Sequence, residues 1–296
     1  MKSIFSLSAI FFLSIFSILN AQNSPLQSKD AIKQQKWVDS IYNNMSLEQK
    51  VGQLFMVRAF SNQSQAHVNS IAKLINENHI GGLIFSSGGP VRQAQLNNLY
   101  QAISKTPLLI GMDAEWGLSM RLDSTYAFPW NMTLGAIKDD KLIEETGRYI
   151  GEHCKRIGVH FNFAPDVDIN TNPKNPIIGN RSFGEDRDNV TAKGLAFMKG
   201  MQEAGVLANA KHFPGHGYIK ADSHLQEVID DRDLNTIQST DILPFKALIN
   251  KGISGIMPSH VIYTSCDSVP ASFSRFWLQD QLRHQLNFDG VIFEKS

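Results

Sequence analysis

At 296 residues, with 42% hydrophobic and 19% charged side chains, the chain is long enough for one large domain or two modest ones, with a substantial core. Its 28 basic and 28 acidic side chains cancel, which argues against nucleic acid as a partner, because phosphate-binding surfaces carry an excess of Lys and Arg. Cys154 and Cys266 are the two cysteines; they are expected as free, buried thiols, with stability coming from burial and not from disulfides.

The chain opens with Lys2, an apolar run from Ile4 to Leu19, and then Asn20-Ala21-Gln22. This is the pattern of a secretory signal, residues 1–21, cleaved after Ala21. An uncleaved membrane anchor is the alternative, since the run approaches the length of a short span. Small residues after the run and the lack of a basic stop-transfer cluster favour cleavage and export to the periplasm or beyond, with no membrane contact afterwards. A polar leader, residues 22–38, follows, and the domain proper is expected over 39–296.

Ser46-Leu47-Glu48-Gln49 reads as a capping box opening a helix. From there apolar runs alternate with helical periodicity. The run LFMV precedes a helix from about His67 to Asn78. GLIF precedes one from Val91 to Ile103, and PLLIGMD one from Asp139 to Arg156. VHFNFAPDVD precedes a helix from Asn189 to Ala204, VLANAKHF one from Thr240 to Asn250, and GISGIMPSH one from Ser274 to Leu286 before the final run GVIF. Nearly continuous apolar runs separated by helices predict a parallel sheet buried on both faces, with right-handed crossovers.

About seven strands leave an open doubly wound sheet or a (β/α)8 TIM-type barrel. Asp113, Asp166 with Asp168, Lys211 with His212, and Ser259 with His260 each stand at the C-terminal end of a different run. In a barrel these ends converge on one mouth, and no glycine-rich phosphate loop follows the first strand. The expected fold is therefore α/β, a (β/α)8 TIM-type barrel that is C-terminally incomplete.

The stretch KHFPGHGYIKADSH, residues 211–224, concentrates the chemistry. His212 and His216 would share a helix face, but Pro214, Gly215 and Gly217 oppose a helix there. Without HExxH or a carboxylate-rich repeat, a metal site is disfavoured. Asp222 stands two residues before His224, so in extended chain the carboxylate can bond the imidazole, fix its tautomer and leave the other nitrogen to exchange a proton.

KHFPGHG followed by D-S-H, with GNRSFGED at 179–186 and DAEWGLSMR at 113–121, resembles the barrel domain of glycoside hydrolase family 3, in its β-N-acetylhexosaminidase branch. The resemblance runs from about Asp39 to Ser296. It implies a retaining hydrolase that removes terminal β-linked N-acetylglucosamine from oligosaccharides or muropeptides, with no cofactor and no metal. It also implies His224 as general acid/base, Asp222 as its orienting partner, and Asp113, Arg121, Arg181, Lys211 and His212 as holders of the terminal sugar. The family's β-glucosidases and β-xylosidases generally use a carboxylate acid/base, so the D-S-H segment separates them from this branch.

Other roles compete at several positions. Arg181 could pair with Glu185 or Asp186 in a surface network. Asp168 is expected as a structural acid bonding loop amides. Trp116 could stack on a sugar or pack beneath a loop. His216 is expected to shape its own loop, and His260 to line the mouth. The family places its nucleophilic Asp after the seventh strand in G-[VI]-[IV]-F-[ST]-D; here the run is GVIFEKS, with Lys295 at that position and Glu294 one residue early, where extended chain turns a side chain to the other face. The expectation is a chain short of its nucleophile. A non-catalytic sugar-binding remnant and, more remotely, a metallohydrolase are the competing functional classes.

Overall fold

The computed structural model describes residues 26, 28, 30–221 and 227–294. In chain order the elements are α1 (Ala31–Tyr42), α2 (Leu47–Gly52), β1 (Met56–Phe60), α3 (Gln65–Asn78), β2 (Gly82–Ser87), α4 (Pro90–Ile103), β3 (Leu109–Met112), α5 (Asn131–Gly135), α6 (Asp140–Arg156) and β4 (Phe161–Asn162). They continue with α7 (Arg187–Glu203), β5 (Leu207–Phe213), β6 (Val228–Asp230), α8 (Leu234–Ser239), α9 (Ile242–Asn250), β7 (Gly255–Pro258), β8 (Val261–Tyr263), a π-helix (Phe276–Gln285) and β9 (Val291–Ile292). None of the described helices is long and apolar enough to cross a membrane.

Seven strands form one parallel sheet in the order β1-β2-β3-β4-β5-β7-β9, each beside its predecessor along the chain. This is an incomplete barrel of the (β/α)8 type, as the apolar runs predict. Among the described residues the ladder starts at β1 and stops at β9 without joining them.

The two-residue period of a strand sorts the side chains. Met56, Ile84, Leu109, Leu207, Met257 and Phe293 gather with Phe161 and Phe163 in one inner cluster. Their neighbours Val57, Leu83, Ile110, Ala208, Ile256 and Ile292 belong to the larger cluster between sheet and helices. Asp113 and Lys211 fall on the inner parity, counted from Leu109 and Leu207, so the register that builds the interior also aims these two charges at its mouth.

Helix starts follow local capping chemistry. The Ser46–Gln49 capping box is present in full, and Asp139, Asp186 and Asp233 each accept a backbone N–H at the start of α6, α7 and α8. Several expectations need correction. Helix α1 begins within the leader and runs past its expected end to Tyr42, with none of its residues buried. The helix expected over 240–250 is α9, and a further short helix, α8, precedes it, separated at Thr240 where the backbone leaves the helical region. The strand expected through APDVD is confined to β4, and Asp166 makes only an isolated bridge to Lys211. A second, two-stranded parallel sheet, β6–β8, lies outside the main one. Cys154 is buried as expected, but Cys266 is only partly so. The signal segment 1–21 and the pair Asp222–His224 lie outside the described residues.

Candidate active site

Asp113 follows β3, and its local backbone is fixed by Asn162 of β4, whose side-chain amide bonds both the N–H and the C=O of Ala114 at 2.9 and 3.1 Å. The Asp113 carboxylate is gripped from two sides. Lys211 Nζ of β5 stands 2.9 Å from Oδ1, and Arg121 Nη2 stands 2.7 Å from Oδ2. Glu115, two residues on and fully buried, takes Arg181 Nη2 at 2.8 Å and Nε at 3.0 Å, and Lys211 Nζ at 2.7 Å. The surface pairing considered for Arg181 with Glu185 or Asp186 gives way to this buried, forked pair.

His212 leaves the β5–β7 ladder at a register shift between Lys211 and Phe213, the kind of irregularity that re-aims a side chain. Its Nδ1 lies 2.7 Å from Asp168 Oδ2, and its Nε2 lies 3.5 Å from Arg181 Nη2. The carboxylate partner places the proton on Nδ1 and leaves Nε2 as acceptor. Asp168 also accepts the backbone N–H of His216 at 2.7 Å and that of His212 at 3.3 Å, so it is the structural acid expected. His216 is buried and its C=O accepts from Asn175 Nδ2 at 2.7 Å. It holds its loop, also as expected. Trp116 stacks on Trp130 with ring centroids 4.1 Å apart, the packing role of its two readings.

Proton affinities diverge within this small space. Burial opposes ionisation of Glu115, yet Lys211 and Arg181 outweigh it and hold its pKa down at about 2. Asp168 is pushed up to about 6 by burial despite the backbone N–H groups of His216 and His212. Asp166, equally buried and beside Asp168, is raised well above the usual carboxylate range. For Lys211, burial disfavours the cation, but Asp113 and Glu115 more than compensate and raise its pKa.

A cavity of about 230 Å³ opens over these groups, walled by Asp113, Arg121, Arg181, Lys211, His212 and His260 among others. All five sugar-holding candidates that the sequence singled out therefore line one space, and His260 lines it too, with Nδ1 3.0 Å from Ser272 Oγ. The sequence reading passed over Glu115, the acid on which Arg181 and Lys211 converge. The signal available was parity: Asp113 and Glu115 stand two apart in one motif. Asp166, Asp168 and His212 also bring one ligand atom each within 4.8 Å of one another. Arg181 Nη2 is already seated there, 3.3 Å from Asp166 Oδ2, and its charge opposes a cation. Glu294 lines a neighbouring cavity together with the inner-cluster residues Met56, Phe163, Met257 and Phe293, and its carboxylate comes within 3.9 Å of His260 Nε2; the turn to the other face expected for extended chain is not seen, because β9 already ends at Ile292.

A parallel barrel sheet whose strands converge their charges on one cavity at their C-terminal ends defines an α/β-barrel of the kind that carries enzyme active sites. Comparison with known proteins makes this specific. The profile of the "Glycosyl hydrolase family 3 N terminal domain" matches residues 46–295, and the chain belongs to that family. It is 40% identical over 224 residues to a beta-hexosaminidase of Thiobacillus denitrificans and 43% identical over 225 residues to one of Actinobacillus pleuropneumoniae. Those alignments cover 72% of this chain and 62% and 64% of the relatives' own lengths. Among solved structures, it is similar to a family 3 beta-N-acetylglucosaminidase from a Paenibacillus species, with 35% identity and a TM-score of 0.79 over 85% of this chain and 49% of that one. It is also similar to NagZ from Neisseria gonorrhoeae, with 29% identity and a TM-score of 0.74 over 81% of this chain and 73% of that one.

Proposed function

We propose that this chain carries the terminal-sugar pocket and the acid/base segment of a retaining β-N-acetylhexosaminidase acting on N-acetylglucosamine-containing oligosaccharides or muropeptides. The observation that carries the reading is the Asp113 carboxylate clamped between Lys211 and Arg121 at the cavity wall. A carboxylate held in this way accepts sugar hydroxyls in a fixed direction, and Arg121, Arg181 and Lys211 present donors to sugar oxygens. Each charge-assisted bond contributes ~1.5–3 kcal/mol. The names of the relatives, beta-hexosaminidase and beta-N-acetylglucosaminidase, support the same sugar. His224, braced by Asp222, would give its proton to the departing oxygen. The apolar run from Ile4 to Leu19 supports export to the periplasm or outside the cell.

Lys295, at the position where the family has its nucleophilic aspartate, favours one second reading: a chain that binds the sugar without turning it over unaided. Calorimetry with N-acetylglucosamine, alongside release of nitrophenol from 4-nitrophenyl N-acetyl-β-glucosaminide, separates the two. Heat with turnover supports the hydrolase, and heat without it supports the binding form. Asp113→Asn should cut sugar affinity roughly thirtyfold, for about 2 kcal/mol of lost charge-assisted bonding. No heat from the parent chain, or an unchanged affinity in the variant, would refute the pocket assignment.

A further inference from the structure

We propose that the cavity beside the sugar pocket is a binding site in its own right, taking an apolar group of aryl size carried on the bound sugar. The proposal rests on the reading of the first cavity as a sugar pocket. The second encloses about 270 Å³, more than the ~150 Å³ of an apolar cavity that admits benzene. Its apolar lining is Met56 of β1, Ile84 of β2, Phe163 after β4, Met257 of β7 and Phe293 after β9. All five belong to the inner cluster of the barrel sheet.

These side chains are not equally covered. Phe163 and Met257 are 2% and 4% exposed, whereas Met56, Ile84 and Phe293 remain partly open. The sheet order is the cause: β1 and β9 are its two end strands and are not paired with each other among the described residues, so the inner face stays accessible between them. Apolar surface gathered on a concave wall is what small-molecule sites present. Its aromatic part is fixed, because Phe293 meets Phe161 and Phe163 edge-on with ring centroids 4.7 and 5.0 Å apart. Met56 and Met257 are unbranched and polarizable, so they can adjust to a flat ring and offer their sulfurs to it.

The occupant follows from what the two cavities share. Met257 walls both, and the residues after it, Pro258, Ser259 and His260, line the sugar side. Glu294 of the second cavity stands 3.9 Å from His260 of the first. Met257 is thus at the divide between a polar space and an apolar one, and a ligand seated in the first can carry a substituent into the second. Arg58 and Glu294, both exposed, complete the lining with one charge of each sign. The site therefore has no net charge to call for an ionic substituent.

The experiment titrates the whole 296-residue chain by calorimetry with the methyl, phenyl and naphthyl thioglycosides of N-acetylglucosamine, in both anomers, whose sulfur linkage resists hydrolysis. In at least one anomer the naphthyl compound should bind roughly tenfold or more tighter than the methyl, the order for burying an aromatic side chain, with a more negative heat-capacity change. Ile84→Trp, which fills the cavity, and Met56→Gln, which makes it polar, should erase that gain and leave the methyl compound within about twofold of the parent. Phe55→Ser, in a separate cavity with Val57 and Leu74, should keep it. Equal affinities across both series, or a gain kept in Ile84→Trp and Met56→Gln, would overturn the second site while leaving the sugar pocket standing. A gain that fades as protein concentration rises would overturn it too, by showing a second copy of the chain seated there. No heat from the methyl compounds would instead refute the sugar pocket, and the second site with it.

Discussion

Glu115→Gln is the substitution that probes the buried network most directly. Glu115 receives Arg181 through two nitrogens and Lys211 through one, and glutamine keeps its size while removing its charge. The fall of its pKa from 4.5 to about 2 corresponds to ~3 kcal/mol of preference for the charged form in the folded chain. That agrees with the ~3–5 kcal/mol typical of breaking a buried ion pair. The sign follows from linkage: with the folded pKa depressed, this stabilisation is complete above pH 4.5 and is lost as pH falls through about 2. Asp168 acts in the opposite sense, because its pKa rises from 3.8 to about 6, so the folded state loses stability as pH climbs through that interval. Urea unfolding at pH 7 should place the variant ~3 kcal/mol below the parent, with a melting midpoint lower by ~6–12 °C for a domain of this size. Its stability should also be flat where the parent loses this contribution in acid. A variant that unfolds with the parent and shares its acid limb would refute the assignment of Glu115 as the anion that holds both cations.

Gly200→Ala tests the α6–α7 contact: an added Cβ would lie 1.8 Å from the carbonyl oxygen of Glu144, so a loss of roughly 3 kcal/mol is expected in urea unfolding, and a change under 0.5 kcal/mol would show that the two helices can separate freely. Incubation with EDTA should leave the heat of N-acetylglucosamine binding unaltered. A loss restored by added zinc would instead make Asp166, Asp168 and His212 metal ligands. Placing Ser and Asp after GVIF, by Glu294→Ser with Lys295→Asp, should confer turnover of 4-nitrophenyl N-acetyl-β-glucosaminide. Failure to do so in a chain that still binds the sugar would mean that the nucleophile belongs elsewhere.

The strands were legible because burial on both faces leaves a continuous apolar run, and the convergence of Asp113, Lys211 and His212 followed from their places at the ends of those runs. Glu115 was not legible as a hub, since its partners Arg181 and Lys211 are distant in the chain and meet it only through the sheet order. Helix α1 was missed for a different reason: Ile32, Trp37 and Tyr42 remain exposed, so no buried stripe marks it among polar neighbours. Strands β6 and β8 are three residues each, and Ile229 at the centre of β6 is exposed, which leaves too short a pattern to read.

The arrangement of charge bears on what the pocket selects. Arg121, Arg181 and Lys211 each have a carboxylate partner within 3 Å, and Asp166 and Asp168 lie behind them with proton affinities raised by burial. A site for phosphate would leave its cations to be neutralised by the ligand, and its affinity would rest on that charge. Here neutralisation is internal, so an anionic ligand would have to displace Asp113 or Glu115 from cations that already hold them. A neutral polyol meets no such competition: its hydroxyls can donate to the outward lone pairs of Asp113 and accept from the remaining N–H groups without altering the balance of charge. The donors and acceptors also keep their positions before the ligand arrives, because each is fixed by its opposite and none depends on the sugar to order it. That is the condition under which hydrogen bonds to a hydrated, uncharged ring contribute net affinity, with little reorganisation to offset them.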